Sequence, residues 1–155
     1  MKNAAIAVTF LFLCAMPSYA KAETATYVGE KKCKACHIKQ AKKWEETKHS
    51  KAFDALKDNE KKDPKCIGCH TTNNDVNLPG VQCEACHGAG SLFSKPLIMN
   101  KKKFEESRDA QTKLAVEAGL TVAPNEQNCK KCHNEKSPHY KGFEFKKRYE
   151  EIKHK

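Results

Sequence analysis

Apolar residues in this chain gather in one continuous run and elsewhere recur only at helical spacing. The run, residues 4–16, is uncharged and mostly apolar. Beyond it, residues 38–57 place Ala41, Trp44, Ala52, Phe53 and Leu56 near the 3.6-residue period of an amphipathic helix. The polar, proline-bearing stretch 61–64 closes that helix. A second helix is predicted over 108–118, with Ser107 as its cap and Gly119 as its stop. A third, over 145–153, carries Phe145, Tyr149 and Ile152 at i, i+4 and i+7. No strand pattern is evident. Residues 71–80, from Thr71-Thr72-Asn73-Asn74-Asp75 to Pro79-Gly80, have loop chemistry. The pattern implies one mainly α domain of short helices and loops.

The first apolar run reads as a targeting signal. Lys2 precedes it and Pro17-Ser18-Tyr19-Ala20 follows, the charged, apolar and small-residue order of a secretory leader. Ser18 and Ala20 fit cleavage after Ala20; Ala20 and Ala22 fit cleavage after Ala22. The run is too short to span a bilayer comfortably, and no second run of about 20 apolar residues exists. We therefore expect a signal peptide over 1–20, a mature domain over 21–155, and export to the periplasm or beyond. No stable membrane span should survive cleavage. Cys14 should leave with the leader, because Leu13 before it is bulkier than lipoprotein cleavage sites accept.

Composition makes the mature chain a puzzle. Charged residues are 31% of the whole, and its seven Phe, four Tyr and one Trp, of which Phe10, Phe12 and Tyr19 leave with the leader, are thin material for a core that must offset chain entropy. Either the chain is largely disordered, or something other than side chains fills its middle. The cysteines decide. Eight of the nine fall as Cys33-Lys34-Ala35-Cys36-His37, Cys66-Ile67-Gly68-Cys69-His70, Cys83-Glu84-Ala85-Cys86-His87 and Cys129-Lys130-Lys131-Cys132-His133. Each is a C-x-x-C-H frame, the attachment signature of c-type haem. On one helical turn, cysteines at i and i+3 share a face and can bond two vinyl groups on one porphyrin edge. The His at i+4 then presents a nitrogen to the iron. Four disulfides would not require a His after every second Cys. A four-cysteine zinc site has nearly the spacing of Cys66, Cys69, Cys83 and Cys86, but zinc needs no His in the fifth position either.

Four porphyrins would serve as the core, and they change the charge. Without Lys2 the chain has 28 basic and 19 acidic side chains. Two propionates per haem bring the whole near neutrality, so the basic composition is no argument for nucleic acid. Lys101, Lys102 and Lys103 form a local basic patch for an acidic redox partner, or a solvated surface.

The distal iron positions separate carrier from enzyme. Seven histidines less the proximal His37, His70, His87 and His133 leave His49, His139 and His154 for four positions. Met99 is the one methionine of the mature chain and a competent haem ligand. On a continuous helix His49 would stand roughly 18 Å along the axis from His37, so it must serve another haem. His154 could reach back to any. His139, following Pro138, is the weakest candidate.

Two blocks resemble the tetrahaem cytochrome c-554 family. The first runs from Tyr27-Val28-Gly29 through Cys33-Lys34-Ala35-Cys36-His37 to Trp44 and Lys48-His49-Ser50-Lys51-Ala52. The second is Gly80-Val81-Gln82-Cys83-Glu84-Ala85-Cys86-His87-Gly88-Ala89-Gly90. The resemblance implies a mainly α multihaem fold with short helices wrapped around four closely spaced haems. It implies His49 as the distal ligand opposite His87, a C-terminal histidine, matched by His154, opposite His37, and an open iron at His70. Residues 91–103 lack the family's histidine. Met99 lies there instead, and we expect it opposite His133. The implied function is exported electron transfer between other redox proteins, by a monomer or weak oligomer and not an enzyme. Similar proteins accept electrons from hydroxylamine oxidoreductase. The alternatives are reduction of nitric oxide or nitrite at the open iron, and a haem-bearing filament.

Overall fold

The computed structural model describes residues 23–154; the leader, its cleavage positions and Cys14 lie outside the described residues. The helices are α1 Glu30–Lys34, α2 Ile38–Glu45, α3 Pro64–His70, α4 Cys83–His87, α5 Lys101–Glu106, α6 Arg108–Glu117, α7 Glu126–Lys130 and α8 Phe145–Ile152. A 3-10 turn at Glu60–Lys62 precedes α3.

The helix expected over 38–57 ends at Glu45. Thr47 Oγ1 donates to the Trp44 carbonyl at 2.7 Å, and Ser50 Oγ donates to the Glu45 and Thr47 carbonyls at 2.9 and 2.8 Å. These are the carbonyls that a continuing helix would offer to its own amides. Residues 46–56 run on as successive turns instead. The other two predictions agree with the structure to within a residue. Ser107 stands at the N-cap position of α6, though its hydroxyl makes no capping bond, Gly119 follows the helix at φ +100°, and α8 begins at Phe145.

The expectation of no strand is corrected by a small hairpin. β1 Thr71–Thr72 pairs antiparallel with β2 Asp75–Pro79, with Thr72 opposite Asp75 and a break in register before Thr71 meets Pro79. Asn73 and Asn74 take φ of 58° and 55°. Two left-handed central residues make a type I′ connection, which Asn tolerates better than most residues.

The buried apolar side chains are few: Ala41, Leu56, Phe93 and Ala115. Polar contacts join the segments instead. Thr72 Oγ1 accepts from the Gln82 amide and donates to the Gly80 carbonyl, and Gln82 Oε1 accepts from the Glu30 amide. Trp44 Nε1 donates to the Val81 carbonyl at 2.7 Å. Together they clamp α1, α2, the hairpin and α4 into one frame. Among the described residues no helix is long and apolar enough to cross a membrane.

Candidate haem-binding site

Each C-x-x-C-H frame lies on a helical turn. The second and third frames are helical throughout, as the ends of α3 and the whole of α4. In the first and fourth the helix gives way to a turn, yet the i+4 bond still closes. The His37 amide donates to the Cys33 carbonyl at 2.9 Å, and the His133 amide to the Cys129 carbonyl at 3.0 Å. Caps fix where the turns begin. Asp63 accepts from the Lys65 amide with Pro64 in the first helical position, and Asn125 and Asn128 cap α7 reciprocally.

The imidazoles are oriented for metal binding. His70 Nδ1 lies 2.6 Å from the Ala52 carbonyl and His87 Nδ1 lies 2.7 Å from the Thr121 carbonyl. Since a carbonyl only accepts, Nδ1 carries the proton in each and Nε2 keeps its lone pair. Two pairs of rings oppose one another across 6.0 Å between centroids, His49 with His133 and His87 with His154. With a metal–nitrogen bond of about 2 Å and roughly 1.2 Å from nitrogen to ring centre, two imidazoles sharing a metal stand about 6 Å apart. Phe143 stacks on His133 at 4.8 Å and 17°. Burial pushes His49, His87 and His133 below the ordinary imidazole range, assisted at His49 by His133 and at His133 by Arg148. The neutral form that a metal requires is thereby favoured.

These pairs differ from those implied by the resemblance. His49 faces His133 rather than His87, and His154 faces His87 rather than His37. The reason lies in residues 46–56: once α2 stops, the turn carrying His49 crosses to the hairpin exit, where the Val81 amide donates to the His49 carbonyl at 2.9 Å. Gly80 permits this approach. Its φ is +80°, and a Cβ there would lie 2.7 Å from the Ser50 carbonyl oxygen. Met99 sits before α5, its amide bonded to the Lys95 carbonyl, in a loop whose Leu97 and Ile98 carbonyls accept from buried Gln111. His37 is exposed at the start of α2. Among the described residues neither His37 nor His70 opposes a second imidazole.

A cavity of about 800 Å³ lies between the motifs, lined by Cys69, His70, Cys86, Cys132, His133 and, across from them, His49. His139 lines it too. Thiols of different frames lie near one another, Cys33 beside Cys83 and Cys69 beside Cys132. Burial pushes the Cys86 thiol up to about 11. Among the described residues no three His, Cys, Asp or Glu side chains converge to hold a bare metal ion. Opposed imidazoles, free Nε2 atoms and helical cysteine pairs around an apolar space fit haem.

One positioning residue was missed from sequence. Glu84, inside the third frame, is 2% exposed, and its carboxylate accepts from the amides of Val28, Gly29 and Gly90. A charged residue between two haem cysteines reads as surface; only the folded chain shows it buried. The lysines of α5 are less informative. Lys101 and Lys102 lie 3.8 and 4.0 Å from Glu105 and Glu106 of the same helix, a solvated ion-pair face.

Comparison with known proteins agrees with this geometry. The family model described as "Cytochrome c554 and c-prime" matches residues 32–88, which hold the first three frames. Cytochrome c-554 of Nitrosomonas europaea is 30% identical over 139 residues, covering 72% of this chain and 59% of the relative. The chain thus spans less than two thirds of that relative's length. A solved structure of reduced cytochrome c554 from the same organism superposes with a TM-score of 0.55 at 29% identity, covering 77% of this chain and 71% of the other. Repeated haem frames on short helices, paired imidazoles and these matches point the same way: the chain resembles the cytochrome c554 family of multihaem c-type cytochromes.

Proposed function

We propose that the chain is an exported electron carrier holding four c-type haems, which passes electrons singly between other redox proteins in the periplasm. Cys33 and Cys36, Cys66 and Cys69, Cys83 and Cys86, and Cys129 and Cys132 anchor the porphyrins; His37, His70, His87 and His133 are the proximal ligands. His49 completes the site of His133, and His154 that of His87. The single observation that carries this reading is the pair of opposed imidazoles, each at 6.0 Å. Haem iron, when bound, supplies one-electron redox chemistry whose potential follows its axial ligands and burial.

The residues of the chain set the order of the sites. Cys33 approaches Cys83, Cys86 approaches Cys129 and Cys132, and Cys132 approaches Cys69. The first frame therefore neighbours the third, the third the fourth, and the fourth the second. Carbonyl acceptance from Nδ1 at His70 and His87 raises ligand basicity there and favours the oxidised metal.

A test is the intact mass of the purified holoprotein with EPR of the wild type and His49→Ala. We expect the mass of four haems and conversion of one low-spin haem to high spin in the variant. An unchanged spectrum would remove His49 from the ligand set. The second reading, small-molecule reduction at an open iron, has one observation in its favour: among the described residues His37 and His70 have no opposed imidazole.

A further inference from the structure

Among the described residues, Glu84 is the one charged side chain that is buried. Both of its oxygens accept hydrogen bonds. The Val28 amide donates to Oε1 at 2.9 Å and Oε2 at 3.1 Å, the Gly29 amide to Oε2 at 2.8 Å, and the Gly90 amide to Oε1 at 2.7 Å. That is the bonding pattern of an ionised carboxylate. Amides supply dipoles and no whole charge, and the ion pairs among the described residues lie on the surface and do not include Glu84. A full negative charge is therefore held inside the fold.

Its place is specific to one frame. The position after the first cysteine holds Lys34, Ile67 and Lys130 in the other three, and both lysines are exposed and paired with surface carboxylates. Glu84 also bridges two frames. It lies between Cys83 and Cys86 of the third, while Val28 and Gly29, which it holds, lead directly into α1 with Cys33 of the first. Gln82 strengthens the same junction by accepting from the Glu30 amide at 2.8 Å. Cys33 lies beside Cys83, and the Glu84 charge is felt at both thiols. Oxidised haem iron carries one more positive charge than reduced iron. A fixed anion in a poorly solvated place favours the oxidised form and lowers the potential.

We propose that Glu84 is a shared potential-setting charge, which makes the haems of the first and third frames harder to reduce than they would otherwise be. The inference rests on the four-haem reading above. It gives the buried carboxylate an electrostatic role in addition to its role as a clamp.

The test compares the full-length holoprotein with Glu84→Gln, which keeps the side-chain shape and one accepting oxygen but removes the charge. Intact mass gives the haem content, and redox titration followed by EPR gives the four midpoints. The third-frame haem is the one that turns high spin in His154→Ala. Two midpoints should rise in Glu84→Gln, the third-frame one among them, each by about tenfold in the ratio of reduced to oxidised haem, or about 59 mV for one electron. The other two should stay. A merely structural role gives the opposite sign, because a loosened frame admits water and water favours the more charged, oxidised iron. Unmoved or lowered midpoints, or an equal rise in all four, would overturn the proposal. If Glu84→Gln yields no holoprotein, Glu84→Asp decides. It draws the charge back from α1 toward the third frame, so the first-frame midpoint should rise, and four unmoved midpoints would overturn the proposal. A wild-type mass short of four haems would instead overturn the four-haem reading, and this inference with it.

Discussion

Glu84 shows how a single side chain can organise a site without touching it. Buried at 2% exposure, it receives amides from Val28 at 2.9 Å, Gly29 at 2.8 Å and Gly90 at 2.7 Å. These bonds fix the segment before α1 and the bend after α4 to one helix. Gly90 is required by the same arrangement, since a Cβ there would lie 2.9 Å from Glu84 Oε1, an atom its bonds hold in place. Removing the carboxylate leaves three amides short of a partner, each costing about 1–3 kcal/mol where water cannot reach. Glu84→Ala should therefore destabilise the holoprotein by at least about 3 kcal/mol. Denaturant unfolding followed by Soret absorbance measures this, and a change under about 0.5 kcal/mol would reject the clamp.

At the scale of elements, termination matters more than formation. Had α2 continued through residue 57, the His49 ring would have been carried along its axis and away from His133. The hydroxyls of Thr47 and Ser50 end the helix, and Gly80 admits the resulting turn beside the hairpin. The last helix works differently. α8 places His154 against His87, and its end is docked on α2 by Lys43 Nζ, which donates to the Lys153 carbonyl at 2.5 Å. A chain truncated after Glu144 should keep its haem content yet show one additional high-spin haem, assigned to His87. EPR of the truncated holoprotein checks this, and a spectrum like that of the full chain would exclude His154 as a ligand.

For the whole molecule, the scarcity of apolar core and the excess of basic residues have one resolution. Among the described residues four apolar side chains are buried, and helices of five to ten residues have little stability of their own. Porphyrin faces supply the missing apolar area, and their propionates offset the lysines. The chain alone has a pI near 9.1. The holoprotein should focus much closer to neutrality, at least one pH unit lower by order of magnitude, given up to eight added carboxylates against a formal chain charge of +10. Isoelectric focusing before and after chemical removal of haem measures the difference. Equal values would mean that the propionates are protonated or that fewer haems are attached.

The haem frames, the thin core and the helices at 108–118 and 145–153 were legible along the chain, because each depends on residues within a turn or two of one another. The small hairpin was legible in principle from Asn73-Asn74, but two short strands with no alternation conceal it. The pairing of imidazoles was not legible. It depends on where α2 stops and on contacts such as Val81 with His49 and Lys43 with Lys153, between residues 32 and 110 positions apart. Sequence by itself determined where the haem frames lie, since each frame is local to five residues. Only the tertiary structure decided which histidine faces which, because opposed ligands come from different segments and their meeting is a property of packing.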